Sequence, residues 1–375
     1  MWAKHAQGTV IRQAQGAWPQ GTYEEHHARD GFAGDCSQLY RAHPTTEWTR
    51  VEGPIRPRGI LTDDLPAEDD ADERAQPTTL LECADMRLSI SRRRRPAPYL
   101  FRNADGDTVI LVQRGSGLLV CDYGTLEYGP LEYLVIPKGT NYRLIPHTTD
   151  NLSYVVETTA AVGVPDRGLL GHFLPFDIGV LDVPRLDALR AHGSGLDGPE
   201  WEIVVKRGER LSSIFHPFDP LDVEGWQGSV TPYRLRLRDI RPVTSERMDV
   251  PPITHATFAA EGVWFCTMAP RIWQNDPEAA HVQPYHRNVD YDEIIINLGS
   301  PEGDGVPGRP IGLMTVTPGG MNHGPGAAML RHPMERMPFY LLNIDTRQAL
   351  RPTSAFEQAE IPDFYERQRF SGPGR

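Results

Sequence analysis

Two stretches of the chain repeat one device, an apolar run that ends in a proline–glycine turn and then presents a polar ring. Residues 131–142 read LEYLVIPKGTNY and end Pro137-x-Gly139-x-x-Tyr142; residues 312–323 read GLMTVTPGGMNH and end Pro318-x-Gly320-x-x-His323. Short apolar runs bounded by glycine and proline are strand signals. They recur in DTVILVQRGSGLLVCDYGTLEYG (107–129), and between 253 and 350 in GVWFCTMAP, EIIINLG, PIGLMTVTPGG and PFYLLNID. Helical spacing is clear only in RLDALRAHG (185–193), which closes on a glycine. Helices do not alternate with strands, which argues against a βαβ sheet. The pattern predicts an all-β-dominated chain with two small barrels. An irregular arm spans 1–77, the first barrel 78–160, a less regular middle segment 161–250, the second barrel 251–350 and a tail 351–375.

Composition agrees with many turns: the 375 residues include 35 glycines and 34 prolines. A net charge of −12 argues against a nucleic-acid partner, which needs a basic face. The one basic run, SRRRRP at 91–96, reads as a solvated loop, as does the acidic patch DDLPAEDDADE at 63–73. No apolar run approaches the ~18 residues of a membrane span, and the N-terminus lacks the basic-then-apolar pattern of an export signal, so a cytoplasmic protein without a membrane partner is expected. Cys36, Cys83, Cys121 and Cys266 form no CxxC pair and read as reduced thiols, not as a zinc site.

The chemistry concentrates in QPYHRNVDYDEIIINLG, 283–299. His286 precedes a turn, Asp292 and Glu293 follow it, and His323 stands after the next strand pair. Neutral imidazole is a good metal ligand, and a tyrosine hydroxyl at neutral pH is a poor one. One metal site is therefore expected, in the C-terminal block, with Tyr142 marking a metal-free partner. Two histidines and one carboxylate form the facial set of non-haem Fe(II) oxygenases, which leaves positions open for substrate and O2. The spacing matches the two-part signature of cupin barrels, with Asn288 where the first motif usually has a second histidine. Side chains alternate along a strand, so only one of Asp292 and Glu293 faces the ion. Glu293 is preferred for its reach, and Asp292 is the alternative.

With these motifs in place, the chain resembles the homogentisate 1,2-dioxygenase family, in TYEEHHARDGFAGDCSQLYRAHP, FRNADGDTVILVQRGSG, DYGTLEY, DVEGWQGSVTPY, PYHRNVDYDE and HGPG. The resemblance implies a bicupin with an Fe(II) cofactor on His286, His323 and an acid at 292 or 293. It implies ring cleavage of a small aromatic acid by O2, homogentisate or a close relative, as in tyrosine and phenylalanine catabolism, and a homo-oligomer, trimer or hexamer. Matching His286 and Gly299 without a gap favours Asp292; the acid pair entering a strand favours Glu293.

The chain departs from the family at Val250, where a catalytic histidine is usual. His255 is the substitute candidate for proton transfer, set against a wall role. Asn288 reads as a substrate hydrogen-bond donor or a turn brace. Tyr285 and Arg271 are the candidate substrate contacts, against packing and a structural ion pair. Arg287 reads as a support beside a ligand, His281 as a loop residue, and His26, His27 and His43 as contacts to a neighbouring subunit. Asp105 and Asp107 read as turn residues. Two further functions stay open: a cupin isomerase or hydrolase using another divalent ion, and a bicupin binding protein without catalysis.

Overall fold

A computed structural model describes residues 5–13, 16–305 and 310–370. Two cupin barrels stand in one chain. In the N-terminal one, a seven-stranded sheet runs Tyr233–Arg236, Glu132–Ile136, Asp107–Arg114, Leu152–Thr158, Met86–Ser91, Thr78–Glu82 and Arg351–Pro352. It faces a six-stranded sheet of Arg210–His216, Trp201–Arg207, Leu100–Asn103, Asn141–Pro146, Gly117–Cys121 and Gly124–Tyr128. In the C-terminal barrel, a six-stranded sheet runs Ala256–Ala260, Val263–Met268, Tyr340–Thr346, Asp292–Gly299, Leu313–Thr317 and Arg58–Leu61. The facing sheet is Cys36–Arg41, Tyr23–Ala28, Tyr285–Asn288 and Asn322–His323.

The two large sheets pack back to back. Alternation along each strand sends one set of side chains between the barrels and the other into its own barrel. Val109, Leu111, Tyr133 and Tyr154 meet Ile294, Ile296, Phe265 and Ile344 in one shared core. The residues between them, Ile110, Val112, Leu134 and Val155, line the N-terminal barrel. Inside the C-terminal barrel the same alternation places polar groups: Glu293, Asn297, Asn343 and Asp345 are all buried.

Three sequence readings give way. The arm is not irregular throughout, because Tyr23–Ala28 and Cys36–Arg41 form a hairpin and Arg58–Leu61 an edge strand of the C-terminal barrel. Tyr23–Ala28 pairs in parallel with Tyr285–Asn288, a partner some 260 residues away that local periodicity does not announce. The basic run and the acidic patch are not two solvated loops but one clamp. Arg92 donates to the carbonyls of Thr62, Asp63 and Leu65, and Arg93 to those of Glu73 and Ala75. Arg94 pairs with Asp70 at 2.6 Å and Arg95 with Glu73 at 3.7 Å.

Other local readings match what is seen. The helix is Leu186–His192, ended by Gly193 at φ 57°. Asp105 and Asp107 accept backbone N–H groups of turns, from Gly208, Lys138 and Val162. Among the described residues no helix is long and apolar enough to cross a membrane.

Candidate metal centre

Three strands bring the candidate ligands together. His286 lies on Tyr285–Asn288 and is the direct cross-strand partner of His323; their ring centroids are 3.9 Å apart. Glu293, second residue of Asp292–Gly299, places a carboxylate oxygen 3.4 Å from His323 Nε2. Ligand atoms of His286, Glu293 and His323 all lie within 4.8 Å of one another. Asp292 faces the other way, as alternation requires. Its carboxylate accepts the N–H of Gly319 at 2.7 Å and of Leu350 at 2.8 Å. Gly324 follows His323 because a Cβ there would sit 2.9 Å from the Tyr285 backbone, and the two strands could not close.

These residues fit a divalent ion. His286 Nδ1 and His323 Nδ1 each lie 3.2 Å from a carbonyl oxygen, of Pro284 and Met321. A proton on Nδ1 makes that bond and leaves Nε2 as a lone-pair donor. His323 Nε2 is buried with no hydrogen-bond partner, a cost that a bound cation removes. Burial, and then the neighbouring His323, push the His286 pKa down to about 3, so the ring is neutral and able to coordinate. Burial alone would raise Glu293, but the two histidines outweigh it and hold the carboxylate below its usual range.

Support for this cluster comes from groups the sequence did not single out as part of the site. Glu25, fully buried, takes Arg41, Asn322 and Arg287 on its carboxylate, tying together the strands that carry both histidines. His26 is buried within this chain, bonded to Glu24 at 2.5 Å and aligned with His286 across the sheet, so the reading of His26 as a subunit contact is corrected. The Phe32 ring stands 5.2 Å from the His286 ring, edge to face. Its turn is fixed by Arg29, whose guanidinium grips Asp290 at 2.8–3.0 Å. Asp345 lies directly across from Glu293; burial, and then the Glu293 charge, push its pKa up to about 8. The one signal for the first of these was the pair of acids followed by a pair of histidines in YEEHHA. Nothing local marked Asp345.

The remaining candidates divide into two groups. Asn288 has a buried amide nitrogen without a partner and borders a small void with Glu293, Asp345 and Phe32. His255 is buried with both ring nitrogens unbonded, and burial, then Arg271, lower its pKa to about 3. Arg271 is 7% exposed; its guanidinium touches Met337 Sδ at 3.7 Å and the Trp273 ring, and burial lowers its pKa against the opposing charge of Asp249. Tyr285 belongs elsewhere. It is fully buried, donates to the Pro325 carbonyl at 3.0 Å and packs edge-on against Tyr23, on the face opposite His286, where it braces the strand and does not look into the site. Arg287 pairs with Glu25 at 3.2 Å, and the His281 carbonyl accepts from the Trp273 indole.

The N-terminal barrel has the same wiring with other residues. Tyr142 pairs with Phe101 where His323 pairs with His286. Thr108, flanked by Ile136 and Glu157, stands where Glu293 is flanked by Thr317 and Asp345. None of Phe101, Tyr142 and Thr108 is a good ligand for a divalent ion at neutral pH.

Comparisons with known proteins find partial likenesses. Residues 94–237 match the family model described as homogentisate 1,2-dioxygenase N-terminal. A Saccharolobus solfataricus protein provisionally named a dioxygenase is 28% identical over 319 residues, 80% of either chain. Homogentisate 1,2-dioxygenase of Rhodopseudomonas palustris strain BisA53 is 32% identical over 154 residues, 40% of this chain and 33% of that enzyme, so the shared stretch spans a third of its length. A cupin 2 barrel protein from Leptotrichia buccalis aligns over 76% of this chain and 99% of its own, at 11% identity and a TM-score of 0.34. Two barrels of this wiring, one with a buried His-Glu-His cluster, define a bicupin. Over residues 94–237 the chain is similar to the homogentisate 1,2-dioxygenase family.

Proposed function

We propose that the C-terminal cupin holds Fe(II) on His286, Glu293 and His323 and that the protein is a ring-cleaving dioxygenase for a dihydroxyaromatic acid, homogentisate or a close relative. The observation that carries this reading is the convergence of two imidazoles and one ionised carboxylate in a buried site, the ligand set suited to non-haem iron oxygenases. When bound, Fe(II) supplies the redox chemistry by which O2 reacts with an electron-rich ring. The chain's own residues do the rest. Arg271 is a buried guanidinium suited to a substrate carboxylate. His255, whose two ring nitrogens have no partner, is the proposed relay for a phenolic proton. The unpartnered Asn288 amide donates to a substrate oxygen. Phe32 shields His286 and excludes water.

The void beside Glu293 measures only about 10 Å³, so an aromatic acid enters when the turn carrying Phe32 swings aside. The family likeness supports a trimer or hexamer working in the cytoplasm, which light scattering and fractionation test directly. The decisive experiment is oxygen uptake by the Fe(II)-loaded protein with a panel of hydroquinone and catechol acids. Uptake with a homogentisate-like acid supports the reading; bound iron with no uptake on any of them defeats it.

A further inference from the structure

The interior of the N-terminal barrel is not filled. Between its sheets lies a cavity of about 80 Å³, walled by Tyr99, Phe101, Tyr128, Tyr142, Arg93 and Arg143. Past Phe101, Tyr142 and Val155 it adjoins a second space of about 240 Å³ that reaches Arg87 and Lys206. An apolar cavity of ~150 Å³ suffices for benzene, so the two spaces together accommodate an aromatic ring. Ile110, Val112, Leu134 and Val155 give that ring an apolar bed.

The polar groups of the cavity favour an anion. Two guanidiniums, Arg93 and Arg143, stand against one carboxylate, Asp69. Arg93 Nε lies 3.8 Å from Asp69. Arg143 is 8% exposed, and its hydrogen bonds go to the neutral carbonyls of Ala97, Ser194 and Gly195. Arg114, at the rim, is already taken by Asp63 and Asp150. The Tyr128 hydroxyl lines the cavity and makes no side-chain hydrogen bond among the described residues, while the Arg93 charge reaches it. Arg93 also donates to the carbonyls of Glu73 and Ala75, so Arg143 is the guanidinium left without a carboxylate partner, and a buried charge without a counter-charge is costly.

We propose that the N-terminal cupin is a second ligand site, separate from the metal centre, for a small planar carboxylate whose ring lies against Phe101 and Tyr142 and whose carboxylate meets Arg93 and Tyr128. The proposal does not depend on the reaction assigned to the other barrel. Benzoate is the probe, with benzyl alcohol as its neutral counterpart, titrated by calorimetry into the full chain. The His323→Ala background with a chelator removes any benzoate held through metal. Binding of benzoate near one per chain is expected, weakened about tenfold by Tyr128→Phe, the loss of one hydrogen bond to a charged group. Arg93→Met abolishes it; should that variant misfold, Tyr128→Phe and Phe101→Ala still decide. The proposal is overturned if millimolar benzoate does not bind, if Tyr128→Phe and Phe101→Ala leave binding unchanged, or if benzyl alcohol binds as tightly.

Discussion

The two barrels share the strand pairing around one interior site and differ in the three side chains that stand there. His286, His323 and Glu293 occupy the C-terminal barrel where Phe101, Tyr142 and Thr108 occupy the N-terminal one. The imidazole pair is drawn to 3.9 Å between centroids, while the Phe101–Tyr142 pair stands at 5.7 Å, edge to face. The same strand pairing thus carries two interiors, one lined at these positions by two imidazoles and a carboxylate, the other by rings and hydroxyls.

The largest effect is expected where that difference is erased. His323→Ala should take iron from one ion per chain to none and abolish oxygen uptake, because two remaining ligands do not hold the ion. Tyr142→Phe, at the matching position, should leave iron content unchanged. Metal analysis of both variants tests the asymmetry, and iron loss from the Tyr142 variant breaks it. Next, Arg271→Met should raise KM about 30-fold for the dihydroxyaromatic acid with a smaller change in kcat, since a charge-assisted bond contributes about 2 kcal/mol. A neutral substrate analogue should not register the change.

A smaller effect separates the two adjacent acids. Asp292→Ala should keep its iron and lose roughly 1–3 kcal/mol of stability, as the N–H groups of Gly319 and Leu350 lose their acceptor. Glu293→Ala should lose the iron. Reversal of that pair of results would move the acid ligand to position 292.

The least effect concerns pH. The folded state keeps His255 neutral, its pKa lowered to about 3, while the unfolded chain protonates near 6.5. The unfolded state therefore binds more protons between those values, and stability is lost as pH falls from 6.5 towards 3. That loss reaches up to about 2 kcal/mol at pH 5. His255→Leu should flatten the fall of Tm between pH 6.5 and 5; an unchanged slope would mean that other groups carry the acid sensitivity.

Much of this was legible in the residues. The repeated proline–glycine device marked both barrels, and its tyrosine and histidine endings separated the half that carries the His-Glu-His cluster from the other. The spacing of His286 and His323 picked out two of the three ligand candidates. What stayed hidden were partners that no local pattern names. Glu25 and His26 sit in a strand that pairs across some 260 residues with His286. Asp345 meets Glu293 only through the pairing of their two strands. The runs at 63–73 and 91–96 look like solvated loops until the fold sets one against the other.

The sequence by itself determined that one acid of the Asp292–Glu293 pair turns inward, because alternation along a strand follows from backbone geometry. Which one was decided by tertiary structure. The inter-barrel core claims Ile294 and Ile296, and Asp292, on their side of the strand, becomes an anchor for two backbone N–H groups. Glu293 is left facing the two imidazoles. Hydrophobic burial between the barrels, not the chemistry of either acid, sets that choice.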